Sequence, residues 1–185
     1  MSLLFKNKVF YPYDYQKSVF DIDYRALQEK GVKLLMIDLD NTLIPYDESE
    51  PNDDIRNLFA HLKEMGFKII VISNSRKKRV EAFANALSVK FVSNAMKPLR
   101  CGFRRAQALY PGIKETEVAV IGDQFMTDVL GGNRCHYLVV VVDAIKRQVE
   151  KWYTRINRRL EKRVLSRIKK ADFPFFQRLK LDGKR

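Results

Sequence analysis

A chain of 185 residues, 46% of them hydrophobic, is long enough to bury a full core, and its length fits one domain with an appendage better than two domains. The longest apolar run, Tyr137 to Val142, is far too short to span a bilayer. Met1 to Lys8 lack a signal-peptide pattern, and Cys101 and Cys135 form no C-x-x-C pair, so a cytoplasmic protein without a disulfide framework is expected. The net charge of +13 is uneven: residues 146–185 hold 15 Lys/Arg against 4 Asp/Glu, the first 145 only 20 against 18, which points the tail toward a polyanion.

In chain order, residues 1–20 are rich in aromatics (Phe5, Phe10, Tyr11, Tyr13, Tyr15, Phe20) and read as a lead-in that packs on the domain. A short helical pattern then runs from Asp21 to Gly31. Leu34 to Ile37 is an apolar run that stops at Asp38-Leu39-Asp40-Asn41-Thr42-Leu43, the pattern of a buried strand with carboxylates at its carboxyl end. Pro51-Asn52-Asp53-Asp54 starts a helix whose Ile55, Leu58, Phe59, Leu62 and Met65 follow at helical spacing until Gly66. Phe67–Ser73 reads as a second strand, Arg79–Leu87 as a helix, Lys90–Asn94 as a short strand and Leu99–Leu109 as a helix closed by Pro111-Gly112. Glu117–Gly122 and His136–Val142 are two more strands. Strands alternating with helices predict an α/β fold, a parallel sheet covered by helices on both faces.

The chemistry is concentrated at strand ends, where open α/β sheets bind ligands. Asp38 and Asp40 fall on one side of an alternating strand, close enough that two unpaired charges would be costly, which implies a cation or a shared proton. A calcium loop is excluded, because its sixth position would be Leu43 instead of Gly, its twelfth Ser49 instead of Glu, and a strand precedes it. The next strand ends in Ser73-Asn74-Ser75, the following one leads to Lys97-Pro98, and the fourth ends in Gly122-Asp123 with Asp128 five residues on. Each has a commonplace reading: Ser73 as a helix cap, Lys97 as a surface lysine, Asp123 as a turn residue. Their convergence on one sheet edge, in this order, is what carries weight.

With Asp38/Asp40/Thr42/Leu43, Ser73, Lys97 and Asp123/Asp128 in hand, the chain resembles the haloacid dehalogenase (HAD) superfamily over roughly residues 31–145. Asp-Leu-Asp-Asn-Thr-Leu together with Gly122-Asp-Gln-Phe-Met-Thr-Asp128 resembles the YqeG-type branch of its subfamily IIIA, related to phosphatidylglycerophosphate phosphatases. The resemblance implies a HAD Rossmann-like fold and an Mg²⁺-dependent phosphomonoesterase. Asp38 would be the nucleophile and Asp40 the general acid and base, with Mg²⁺ held by the carboxylates of Asp38 and Asp123 and the backbone carbonyl of Asp40. Ser73, the Asn74 amide and Lys97 would hold the phosphoryl group, Thr42 would complete the first motif, and Asp128 would orient Lys97 or a metal-bound water.

Spacing also speaks to access. Only Ile44 to Asn52 separates the first motif from the next helix, and Phe91 to Lys97 leaves no room for an insertion, so no cap domain is expected over the site, which suits a large or surface-embedded substrate. The organisation read from the chain is a catalytic domain at 1–145 and a basic helix and tail at 146–185. In that tail Ile145, Val149, Trp152, Tyr153, Ile156, Leu160, Val164, Leu165 and Ile168 recur at helical spacing as one stripe. Lys151, Arg155, Arg158, Arg159, Lys162, Arg163, Arg167, Lys169 and Lys170 fill the other faces. Three uses remain open for this amphipathic helix: packing on the domain, lying on an anionic membrane surface, or binding nucleic acid. The leading expectation is a phosphatase acting on a lipid phosphate such as phosphatidylglycerophosphate. The alternatives are a phosphatase for nucleic-acid terminal phosphates and a non-catalytic RNA- or ribosome-binding protein.

Overall fold

The computed structural model describes residues 8–150 and 152–183, apart from the side chains of Val149 and Tyr153. Phe5 and Lys151, and the two side chains just named, therefore lie outside the described residues. Six strands, β1 (Asp14–Gln16), β2 (Leu34–Ile37), β3 (Lys68–Ile72), β4 (Lys90–Val92), β5 (Val118–Gly122) and β6 (Leu138–Val142), form one sheet in the order β1-β6-β5-β2-β3-β4. Every pairing is parallel. The helices are α1 (Tyr24–Glu29), α2 (Asp53–Glu64), α3 (Lys77–Ala86), α4 (Arg100–Ala108), α5 (Leu130–Arg134), α6 (Trp152–Ala171) and α7 (Phe173–Arg178). This is the expected α/β HAD Rossmann-like sheet, with no cap domain among the described residues and with the expected basic helix after the last strand.

Alternation along the strands sorts the core onto two faces. Leu35, Ile37, Ile69, Val71, Ala119 and Ile121 join Ile55, Phe59 and Leu62 of α2 and Val80 and Phe83 of α3. Leu34, Met36, Ile70, Ile72, Val118 and Val120 join Phe103 of α4 on the other side. Helix α2 starts where expected, with the Asn52 side chain accepting from the Ile55 amide at 3.0 Å, and it stops before Gly66 at φ 89°.

Two regions depart from the sequence expectation. The lead-in does pack on the core through Phe10, but it also adds β1 to the sheet edge, with Asp14 opposite Val140. A three-residue Asp-Tyr-Gln segment has no apolar alternation, so nothing local marks it as a strand. The tail stripe is the second correction. Val164 and Ile168 are buried against the second face together with Phe176 of α7, but Ile145, Trp152 and Ile156 are exposed, Trp152 to 73%. The first half of α6 instead turns Thr154, Arg158 and Glu161 inward, so Arg158 is not the surface cation its place among the basic residues predicts. A helix can bury such a face only where its neighbours supply complementary charge, and those neighbours are the loops that carry the site.

Candidate active site

Chain order along the sheet fixes where the site forms. From β2 the chain moves outward through β3 and β4, then returns to the other side of β2 to lay down β5, so the strand order reverses between β2 and β5. A crevice opens at the carboxyl ends of strands at such a reversal. Asp38 follows β2 and Asp123 follows β5, and both are buried. The carboxylates of Asp38, Asp123 and Asp128 offer oxygens that all lie within 4.8 Å of one another. Asp128 is brought there by a π-helical turn, Phe125–Val129, ahead of α5. Gly122 makes room for it, since a Cβ at that position would run into the Asp128 carboxylate.

Lys97 reaches into this cluster from the loop after β4. Its Nζ donates to Asp38 Oδ1 at 2.5 Å, to Asp128 Oδ1 at 2.6 Å and to the Ile72 carbonyl at 3.3 Å. Thr42 Oγ1 donates to Asp38 Oδ2 at 3.3 Å. Asn74 braces the lysine loop from beneath: its Oδ1 accepts from the Lys97 amide at 2.7 Å and its Nδ2 donates to the Lys97 carbonyl at 3.1 Å. Burial pushes the Asp38 carboxyl well above the usual carboxylate range, opposed by the Lys97 charge, while the charges of Asp128, Asp123 and Asp40 push it further up. Burial opposes the Lys97 charge too, but Asp128 and Asp38 outweigh it and raise its pKa. Both directions describe one imbalance, a buried cluster with more negative than positive charge. Three hard oxygen donors in that state are a set that could hold a divalent cation.

Asp40 is placed differently. Its Oδ2 accepts from Ser73 Oγ at 2.9 Å and Ser75 Oγ at 2.6 Å, and its Oδ1 accepts from Arg79 Nε at 2.9 Å; Arg79 also donates to the Pro45 carbonyl at 3.0 Å. The Asp40 side chain is therefore outside the three-carboxylate cluster. The shared proton considered from the sequence is not the arrangement found, since each aspartate has its own cation, Lys97 for Asp38 and Arg79 for Asp40. Asn41, the next residue, takes φ 65°, a conformation Asn tolerates better than most residues, and so turns the chain sharply after Asp40.

A cleft of about 410 Å³ opens over these groups, lined by Asp38, Asp40, Ser73, Lys97 and Gln124 among others, with Tyr46, Thr154 and Asn157 on its far wall. The Tyr46 hydroxyl lies 3.4 Å from Thr154 Oγ1, and Asn157 Nδ2 donates to Gln124 Oε1 at 3.3 Å. The first turns of α6 thus form one wall of the site. Arg158, one residue on, donates through its NH2 group to the Asp123 carboxylate and through NH1 to the Asp123 carbonyl at 2.9 Å. Glu150 and Glu161 accept from the same guanidinium at 2.8 and 3.2 Å. Sequence reasoning did not single out Ser75, Arg79, Tyr46, Glu150 or Arg158 for the site. For Glu150 one signal exists: it and Glu161 are two of only four acids in a tail of 15 Lys/Arg.

A parallel sheet bearing an acidic cluster, a buried lysine and a strand-end serine at its reversal point defines a HAD-type hydrolase. Residues 11–136 match the family of haloacid dehalogenase-like hydrolases, and the chain belongs to that family. It is 37% identical over 88% of its length to "Probable phosphatase YqeG" of Bacillus subtilis (strain 168), covering 94% of that protein. It is 27% identical over 90% of its length to phosphatidylglycerophosphate phosphatase 1, chloroplastic/mitochondrial, of Arabidopsis thaliana, but spans only 51% of it. Among solved structures, an uncharacterized protein from Listeria monocytogenes serotype 4b aligns with a TM-score of 0.49 at 18% identity, over 63% of this chain and 84% of that one.

Proposed function

We propose that the protein is an Mg²⁺-dependent phosphomonoesterase whose substrate is a lipid phosphate presented on an anionic surface. The observation that carries the catalytic part is the buried cluster of Asp38, Asp123, Asp128 and Lys97, of which Asp38 and Lys97 line the cleft. When bound by Asp38 and Asp123, with Asp128 beside them, Mg²⁺ would offset the charge between the nucleophile and a phosphate dianion. Asp38 attacks phosphorus, the ester P–O bond breaks, and an aspartyl-phosphate forms. Asp40 gives its proton to the leaving oxygen, then takes one from the water that cleaves the acyl phosphate and releases inorganic phosphate. Lys97 and Ser73 face the phosphoryl oxygens as charge shifts onto them, and Asn74 keeps the Lys97 loop in place. Thr42 holds Asp38 in orientation.

Three features support a lipid. A phosphatidylglycerophosphate phosphatase is among the relatives. Met96 and Leu99, which flank the cleft residues Lys97 and Pro98, are exposed, as are Trp152 and Ile156 on the first turns of α6. Beside them Arg155, Arg159, Lys162 and Arg163 are exposed as well, so the outer face of the helix that walls the cleft combines apolar groups that enter an interface with cations that meet anionic headgroups. No helix among the described residues is long and apolar enough to cross a membrane, and the protein on this reading works from the cytoplasm at the membrane's inner face. The test is a substrate panel at physiological salt with phosphatidylglycerophosphate in anionic vesicles, hexose phosphates, nucleotides and 3′- or 5′-phosphorylated oligonucleotides. The highest kcat/KM is expected for the lipid. Oligonucleotides as best substrates would move the basic helix to nucleic acid, and no hydrolysis of any ester would favour a binding protein.

A further inference from the structure

Arg158 belongs to the helix after the last strand, yet its guanidinium is buried against the metal-binding end of the sheet. Each of its nitrogens has a partner: Nε and NH2 on Glu150 at 3.1 and 2.8 Å, NH2 also on the Asp123 carboxylate, and NH1 on the Asp123 carbonyl and Glu161 at 2.9 and 3.2 Å. Glu150 in turn accepts from Asn41 Nδ2 at 3.2 Å. The Asn41 main chain and side chain accept from the amides of Ile145 and Lys146 at 3.0 and 3.3 Å. One residue of α6 therefore ties the loop after β5, which carries Asp123, to the loop after β2, which carries Asp38 and Asp40.

We propose that Arg158 is a positioning residue for Asp123, and that through Glu150 and Asn41 it sets the spacing of the two carboxylate-bearing loops that take the metal. Helix α6 is then a working part of the metal site and not a detachable anchor. The physical reason is geometric. A carboxylate buried between two strand ends rotates freely unless its second oxygen is held, and a planar guanidinium that also grips the same residue's carbonyl fixes both rotation and depth. Outer partners that hold a metal ligand in this way change metal affinity by about 10- to 100-fold when removed. The inference rests on the reading of Asp123 as a metal ligand.

The test is calorimetric titration of the substrate-free, full-length protein with Mg²⁺ alone, alongside its melting temperature in chelator. Arg158→Lys keeps the charge but cannot span Asp123, Glu150 and Glu161 together. The expected result is a folded protein whose Mg²⁺ affinity is about 10- to 100-fold weaker, with kcat reduced and KM for a small phosphate ester little changed. A double-mutant cycle with Asp123→Asn should show strong coupling, because without the ligand there is nothing left to position. An ion pair serving only the fold would lower the melting temperature of Arg158→Lys and leave Mg²⁺ affinity and the cycle unmoved, which would overturn the proposal. If Arg158→Lys does not fold, Glu150→Gln decides: it keeps Arg158 on Asp123 but loosens its other side, so weaker Mg²⁺ binding supports the proposal and unchanged binding refutes it. Absence of Mg²⁺ binding by the wild-type protein would instead refute the metal-site reading itself.

Discussion

Asp38 and Asp40 are the same residue type, one residue apart, equally buried, and in surroundings that have almost nothing in common. Asp38 sits among carboxylates with Lys97 as its near cation, in an excess of negative charge that a metal ion could offset. Asp40 is wrapped by two hydroxyls and a guanidinium, all of them donors, outside that cluster. Identical side chains thus receive different surroundings from the fold: one is held by Lys97 within the carboxylate cluster, the other by Ser73, Ser75 and Arg79 outside it, and on the proposed mechanism the first is the nucleophile and the second passes the proton. The contrast shows that a D-x-D pair is not a unit, since each carboxylate is defined by which strand end it faces.

The contrast can be broken most severely at Asp38. Asp38→Asn should lower turnover by roughly 10⁴-fold or more for every ester, because no other group can carry the phosphoryl. It should not lower the melting temperature in chelator, since a buried negative charge disappears with it; measurable turnover near wild type would remove Asp38 from the nucleophile's role. Asp40→Asn should cost about 10²–10⁴-fold on alkyl phosphates, and distinctly less on p-nitrophenyl phosphate, whose leaving group departs without a proton. Equal losses on both esters would mean that Asp40 does not protonate the leaving oxygen. Arg79→Gln, which removes the guanidinium from Asp40 while leaving the Asp38 cluster intact, should raise the barrier by about 1.5–3 kcal/mol, the range for a hydrogen bond to a charged group. Mg²⁺ affinity should not change, and a change would show that the two carboxylates are less separate than their contacts imply.

The smallest effect is a pH dependence confined to Asp38. Burial and neighbouring carboxylates raise its folded-state pKa above that of the unfolded chain, so the metal-free protein binds the extra proton when folded. Its stability is then full below the unfolded value and falls as pH rises through the folded one. A divalent cation takes only the ionised carboxylate, so metal binding releases a proton and tightens over the same rise. Melting temperatures with chelator and with Mg²⁺, from about pH 5 to 8, should diverge as pH increases. A constant gap would mean that Asp38 keeps the same protonation state with and without metal.

Strand ends were legible because periodicity is local. Leu34–Ile37 and Val118–Gly122 are continuous apolar runs stopped by carboxylates, and a run of that kind in a parallel sheet has few other places to go. That was enough to bring Asp38, Ser73, Lys97, Asp123 and Asp128 to one edge. The tail was legible as a helix but not in its orientation. Counting apolar residues put Trp152 and Ile156 on one stripe with Val164 and Ile168 and left open what that stripe faces, whereas the folded chain buries Thr154, Arg158 and Glu161 beside Val164 and Ile168. The pattern rule assumes an apolar floor, and the floor beneath the start of α6 is made of carboxylates.

The amino-acid order by itself therefore determined five of the six strands, most of the helices and the acidic strand ends, because burying apolar runs of strand length leaves polar residues at their termini. Which cation answers which carboxylate was decided only in three dimensions. Arg79 and Arg158 are two among 35 Lys/Arg, and no local feature separates them from their exposed neighbours. A buried charge is tolerated only against an opposite charge that folding brings within hydrogen-bond reach, so partner choice follows from how α3 and α6 land on the sheet.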